Sequence, residues 1–212
     1  MSPAGFQRKL AARAAAARVV VTTAEIDKLE LYFNLLLRWS ARMNLTAMPL
    51  DGLPDKTLDR LFIEPLGAAR YVAKSPIAWL DIGSGGGSPA IPLKVLRKQA
   101  RLTMVESKAR KAAFLREVVR ALELRGTDVQ NARFEELSDP ASASTAVDLI
   151  TVRAVKADDA LLALCRGALR LDGELLLFQA EAASGAAPVG FKRLKTVQLT
   201  ETPAYLDVLK AV

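Results

Sequence analysis

The sequence predicts a doubly wound α/β fold, with a mostly parallel sheet covered by helices and an N-terminal helical extension. Three observations predict it. The first third of the chain has helical spacing and no strand-like run. From residue 77 onward, short apolar runs alternate with helical stretches, the order of a parallel sheet with crossover helices. A glycine-rich turn ends the first of those runs and opens onto a helix.

Residues 1–22 are Ala-rich and carry Arg8, Lys9, Arg13 and Arg18 but no acid. The basic residues interrupt any apolar stretch, so the segment does not read as a secretory signal. It is a helix packed on the domain, a phosphate-contacting arm or a disordered tail. Ile26, Leu29, Phe33, Leu36, Leu37 and Met43 predict a helix over 24–43, with Thr23 as its cap. Phe33 and Trp39 belong to the core of that extension. Pro49, Gly52 and Pro54 mark a loop, and a second helix is predicted over 55–73.

Ile77-Ala78-Trp79-Leu80-Asp81-Ile82 reads as a buried parallel strand. A helix at 89–98, a strand at 101–106 and a helix at 108–124 follow. Strands are then expected at 128–133 and 147–152, and a helix at 157–170. Asp172-Gly173 turns the chain into the strand Glu174-Leu175-Leu176-Leu177-Phe178. A loop at 181–190 leads to strands at 192–200 and 204–210, which suit an antiparallel edge of a sheet of about seven strands. We expect 1–74 as arm and helical extension and 75–212 as the ligand-binding domain, in one compact unit.

Composition narrows the chemistry. The 212 residues are half hydrophobic and a quarter charged, enough for a real core. No run approaches 18 uncharged apolar residues, so no membrane partner is expected. There is no histidine and one cysteine, Cys165, read as a small buried hydrophobe. Ser-His-Asp and Cys-His catalysis and His-ligated zinc are excluded. No metal site is expected, although carboxylate-held Mg²⁺ is not excluded. The chain reads as cytosolic. The net charge of +7 suits an anionic partner, nucleic acid above all, but is also compatible with an ordinary basic surface.

The strongest local signal is Leu80-Asp81-Ile82-Gly83-Ser84-Gly85-Gly86-Gly87-Ser88-Pro89. Gly83, Gly85 and Gly87 let a ligand approach the main chain at the carboxyl end of the first strand. The spacing is GxGxG rather than the GxGxxG of dinucleotide loops, and Asp81 stands just before it. A carboxylate there suits an ammonium group. S-adenosylmethionine (SAM) has one and carries no phosphate, so the loop favours SAM over NAD. Glu106 ends the second strand, 19 residues beyond Gly87, where a carboxylate can accept both ribose hydroxyls.

With these residues in view, the chain resembles the bacterial small-subunit (16S) ribosomal RNA guanine-N7 methyltransferases, also called glucose-inhibited division protein B. The likeness runs roughly from 25 to 180. It rests on Leu37-Arg38-Trp39 followed by Met43-Asn44-Leu45-Thr46, on the glycine loop through Pro92-Leu93, and on Glu106-Ser107 with Lys111 and Phe114-Leu115. Arg133-Phe134-Glu135-Glu136 and the stretch from Asp148 to Ala154 complete it.

The resemblance implies a Rossmann-like, class I SAM-dependent methyltransferase acting on small-subunit ribosomal RNA or the small ribosomal subunit, as a monomer. It implies that Gly83 and Ser88 line the cofactor pocket, that Phe134 and Glu135 sit at the adenine, and that Arg153 lies at the pocket mouth, by cofactor or substrate. The chain departs from the family's pattern on the substrate side. Its Arg-His-Ile-x-Asp-Ser reads Arg60-Leu61-Phe62-Ile63-Glu64-Pro65 here, its Ser-Arg-Ala reads Val152-Arg153-Ala154, and a lysine after the late strand is Gln179. The alternatives are a methyltransferase with another RNA or small-molecule target, a SAM-binding protein that has lost catalysis, and a nucleotide-dependent oxidoreductase.

Methyl transfer from a sulfonium is an in-line displacement that depends on holding donor and acceptor close and aligned. Guanine N7 has a free lone pair and no proton to lose, so a chain without histidine can carry it out. Arg153, at the end of a predicted strand, is expected to face the cleft as the catalytic residue, holding a phosphate or stacking on a base. Its loss should then reduce transfer more than stability. Lys108, Arg110 and Lys111 are either a solvated helix face or RNA contacts.

Overall fold

In the computed structural model, which describes residues 3–134, 136, 146–155, 157–201 and 203–212, the N-terminal arm begins as helix α1 (Pro3–Ala16). Phe6, Leu10 and Ala14 recur every fourth residue and are buried on one face. Phe6 stacks on Phe33 at 5.1 Å between ring centroids and meets Phe62 edge-on at 5.4 Å. Arg13 pairs with Asp59, and Lys9 with Asp55 at 2.8 Å. Of the three readings of the arm, the packed helix is the one observed.

Helix α2 (Thr23–Ser40) is capped by Thr22, not Thr23. The Thr22 hydroxyl accepts from the Glu25 amide, and the Glu25 carboxylate accepts from the Thr22 amide at 2.9 Å, a reciprocal capping box. The predicted second helix exists, but it is not a plain α-helix. It runs as α3 (Asp55–Leu58), a π-turn (Asp59–Ile63), α4 (Glu64–Ala68) and a 3₁₀ turn (Ala69–Tyr71). The Glu64 amide bonds to the Asp59 carbonyl, five residues back. Pro65 has no N–H to offer the Leu61 carbonyl. The Glu64 amide thus passes over the Arg60 carbonyl and Pro65 offers nothing to that of Leu61, and both accept side-chain donors from elsewhere in the fold.

The rest alternates as expected. It comprises β1 (Ala78–Ile82), α5 (Ala90–Leu96), β2 (Arg101–Val105), α6 (Ala109–Ala121) and β3 (Thr127–Gln130). After these come β4 (Val147–Arg153), α7 (Asp159–Ala168), β5 (Leu169–Gln179), β6 (Phe191–Gln198) and β7 (Tyr205–Ala211). The sheet order is β3-β2-β1-β4-β5-β7-β6. The first five strands are parallel, and β7 inserts antiparallel between β5 and β6. β5 starts earlier than expected. The Asp172-Gly173 turn survives as a bulge within it, where pairing jumps from Val147↔Leu169 to Leu149↔Glu174.

Two cores flank the sheet. One joins α1, α2, the π-turn, α5 and α6 to Trp79, Met104, Leu149 and Leu176. The other packs α7, Cys165 included, against Ile82, Val105, Ile150 and Leu177. Among the described residues, no helix is long and apolar enough to cross a membrane.

Candidate cofactor site

The carboxyl ends of β1, β2 and β4 lie side by side, where open α/β sheets gather ligands. β1 ends in the glycine loop. The amides of Gly83 and Ser84 both donate to the Val105 carbonyl at 3.0 Å, which pins the loop to β2. Glu106 grips it next, accepting from the Gly85 amide and from the Lys108 amide, each at 2.8 Å. A carboxylate has about four acceptor positions, so two remain for hydroxyl donors. Asn131 holds the Glu106 carbonyl from the end of β3 at 2.9 Å.

The far side of the loop is held by the helical extension. The Tyr32 hydroxyl, fully buried on α2, donates to the Gly86 carbonyl at 2.6 Å. The Leu45 carbonyl comes so close to Gly86 that an added Cβ would lie 2.7 Å from it. Only glycine permits that approach. Gly83 is confined on the β4 side, where a Cβ would stand 2.5 Å from the Val155 side chain.

Beneath the loop lies Asp81, 1% exposed. Thr151 on β4 donates to its Oδ1 and is itself held by the Trp79 indole at 2.9 Å. Its Oδ2 is buried and, among the described residues, has no hydrogen-bond partner. Burial pushes the Asp81 carboxyl up to about 6, opposed by the nearby Ser84 hydroxyl, which donates to the Asp81 backbone carbonyl at 3.2 Å, by the Thr151 hydrogen bond and by the Arg153 charge. Such a carboxylate has room for one more hydrogen-bond donor, and a cationic one would also offset its burial.

Arg153 departs from expectation. It is 8% exposed and turns inward rather than towards an open cleft. Its Nη2 donates to Glu64 at 2.8 Å, and its Nη1 to the Arg60 carbonyl at 2.6 Å and the Ser88 hydroxyl at 3.0 Å. Its guanidinium lies 4.3 Å over the Phe178 ring. Desolvation pulls its pKa down to about 10, offset by Glu64, so the cation persists at neutral pH. Burial raises the Glu64 carboxyl, offset by Arg153 and Arg60.

The π-turn supplies the carbonyls this arrangement needs. The Ser88 hydroxyl donates to the Leu61 carbonyl at 2.9 Å, the one Pro65 leaves unbonded in α register. Two of the sequence's departures, Leu61 and Pro65, therefore fall in a structural joint that retains its carboxylate, Glu64. Val152 is buried in the second core, and Gln179 ends β5 opposite Tyr205.

The structure thus brings Asp81, Gly83, Gly85, Gly87 and Glu106 around one loop, and Ser88 and Arg153 into a joint beside it. Phe134 packs half-buried against the second core, beyond β3. Glu135 lies outside the described residues. Sequence reading missed Tyr32, Glu64, Gly86, Asn131 and Thr151. Among the described residues, no group of three or more His, Cys, Asp or Glu could hold a metal ion. The donor set fits SAM, with a half-partnered buried carboxylate for an ammonium and a second carboxylate with free acceptor positions for a ribose.

Residues 25–199 match the family described as GidB, rRNA small subunit methyltransferase G. A "Ribosomal RNA small subunit methyltransferase G" of Xanthomonas oryzae pv. oryzae is 40% identical over 147 residues. That match covers 68% of this chain and spans 64% of the relative's length. A protein of the same name from Streptococcus agalactiae is 30% identical over 181 residues, 84% of this chain and 75% of that one. The fold is similar to a SAM-dependent methyltransferase from Aquifex aeolicus, with a TM-score of 0.59 at 14% identity, covering 76% of this chain and 96% of the other.

Proposed function

The chain belongs to the rRNA small subunit methyltransferase G (GidB) family, and from that premise we propose that it transfers the methyl group of SAM to N7 of a guanine in small-subunit (16S) ribosomal RNA. The observation that carries the cofactor half of this reading is Asp81, buried with Oδ2 bare beneath the glycine loop.

When bound, SAM supplies an electrophilic methyl on a sulfonium. The chain's own residues hold and align. Asp81 would hold the ammonium, and Glu106 would accept the ribose hydroxyls. Gly83, Gly85 and Gly87 would leave room for the cofactor along the backbone, while Phe134 and Glu135, as the family resemblance implies, would border the adenine. Ser88 and Arg153 act as positioning residues, because their joint to the π-turn fixes the end of β4 beside Gly83. Guanine N7 attacks with its own lone pair, so no residue need remove a proton, which suits a chain with no histidine. This reading puts the chain in the cytoplasm as a monomer, with the small ribosomal subunit or its RNA as partner.

The test is transfer of labelled methyl from SAM to small ribosomal subunits lacking their guanine-N7 modification, with SAM binding followed by calorimetry in the same preparation. The expected product is N7-methylguanosine at one position. SAM binding without transfer would discard the RNA reading and keep the cofactor site; absence of both would discard the whole assignment.

A further inference from the structure

The cofactor site uses no side chain of Met43-Asn44-Leu45-Thr46, although that motif is one of those that carry the resemblance. In the structure, residues 43–47 form one wall of a cleft of about 650 Å³, and residues 108–111 form the other. The cleft is attached to the cofactor loop from both walls. The Leu45 carbonyl seats against Gly86, and the Lys108 amide holds Glu106.

The charge of this cleft is unbalanced. Lys108 and Arg110 are exposed and Lys111 is half-buried. Among the described residues, none of the three side chains has an ion-pair or hydrogen-bond partner, and no acid lines the cleft. Three cations within four residues repel one another, with no acid among the described residues paired to any of them. Opposite them, the Asn44 amide is exposed and makes no hydrogen bond in the described structure, leaving two donors and an acceptor free. Residues 43–46 also border a second cleft, of about 610 Å³, where the buried Ser40 hydroxyl has no partner. The two clefts share residues 43–46 and together form a trough, whose second half also carries Asp51.

We propose that this trough holds the RNA strand carrying the target guanine, with Lys108, Arg110 and Lys111 on its phosphates and Asn44 on a base or ribose edge. The proposal rests on the reading that the substrate is RNA. Phosphate contacts position a strand and base-edge contacts specify it, and the trough offers both kinds next to the cofactor loop.

The test compares two double variants with the full-length wild type. Arg110→Ala/Lys111→Ala removes two charges from the trough. Lys192→Ala/Lys195→Ala removes two from β6, at the other edge of the sheet. Binding of a labelled single-stranded RNA spanning the methylated site is measured across a salt series, with SAM binding measured beside it. Each phosphate contact on a single strand contributes about −0.7 to the slope of log K against log salt, so the trough variant should lose about 1.4 from that slope. Its KM for RNA should rise about tenfold or more while kcat at saturating RNA and SAM affinity hold. The β6 variant should keep the wild-type slope. An unchanged slope in the trough variant, or an equal loss in the β6 variant, overturns the trough. Failure of the wild type to bind either this RNA or the unmodified small ribosomal subunit would instead sink the underlying function.

Discussion

Asp81 gives the site a pH signature. Its carboxyl is raised to about 6, chiefly by burial, against about 3.9 in an unfolded chain. The folded state therefore holds the proton more tightly. The stability this contributes is fully present below about pH 4 and is lost as pH rises through about 6, by roughly 3 kcal/mol. Asp81→Asn removes that slope while leaving other titrations in place. Urea midpoints of the two proteins should diverge between pH 4 and 6, with the variant the more stable at neutral pH and the weaker binder of SAM; parallel curves would mean Asp81 is not the buried acid described. Arg153 makes the opposite kind of prediction. Arg153→Ala strands Glu64 in the core with only Arg60 beside it, at a cost of about 3–5 kcal/mol. Stability should fall along with turnover, contrary to the sequence-based expectation, and a variant as stable as wild type would contradict the joint. Asp81, Glu106 and the glycines were legible because strand, turn and acid lie in one local order. Their partners were not. Tyr32 reaches Gly86 across 54 residues, Thr151 reaches Asp81 across 70, and Glu64 reaches Arg153 across 89. Only the folded topology brings these together.

Periodicity placed the strands of the sheet and the helices between them, because a buried parallel strand and an amphipathic helix leave different apolar spacings. It could not register the π-turn, which adds one residue to a helical turn without disturbing the apolar stripe of Leu58, Leu61, Phe62 and Leu66. Thr22 rather than Thr23 caps α2 because the reciprocal bond needs its acid three residues on, and that acid is Glu25. The π-turn and the glycine loop are coupled through Ser88 and the Leu61 carbonyl. Ser88→Ala should leave that carbonyl and one Arg153 N–H short of a partner, costing about 1–3 kcal/mol by urea unfolding. Pro65→Ala supplies a new backbone N–H within reach of the same carbonyl. In that background Ser88→Ala should cost less, with a coupling of about 1 kcal/mol in a double-mutant cycle. Strict additivity would show that Ser88 and Pro65 do not share the Leu61 carbonyl.

The helical extension and the sheet domain were expected to form one compact unit, and the packing gives a reason for them to unfold as one. A single core runs from Phe6, Phe33 and Phe62 through Leu93 and Phe114 to Trp79 and Met104 on the sheet. Helix α2 is tied to α6 as well, since the Trp39 indole donates to Glu117 at 2.9 Å and its ring meets Phe114 at 5.8 Å. Peeling α1 and α2 away would uncover the faces of the π-turn, α5 and α6 on which they pack, and leave the Gly86 carbonyl and Asp59 without their partners. The intermediate left behind would lack much of its apolar cover and should not be populated. The chain's two tryptophans can test this, because Trp39 reports on α2 and Trp79 on β1. In Trp39→Phe the remaining fluorescence follows the sheet, and in Trp79→Phe it follows the extension. In each variant the fluorescence transition should coincide with the far-UV dichroism transition, even though burial of Trp79 makes its loss the more destabilising of the two. If Trp39 fluorescence changed at lower denaturant than the dichroism, the extension would be a separate unit. Its grip on the glycine loop through Tyr32 and Leu45 would then be a docking equilibrium, and SAM would bind only the docked fraction.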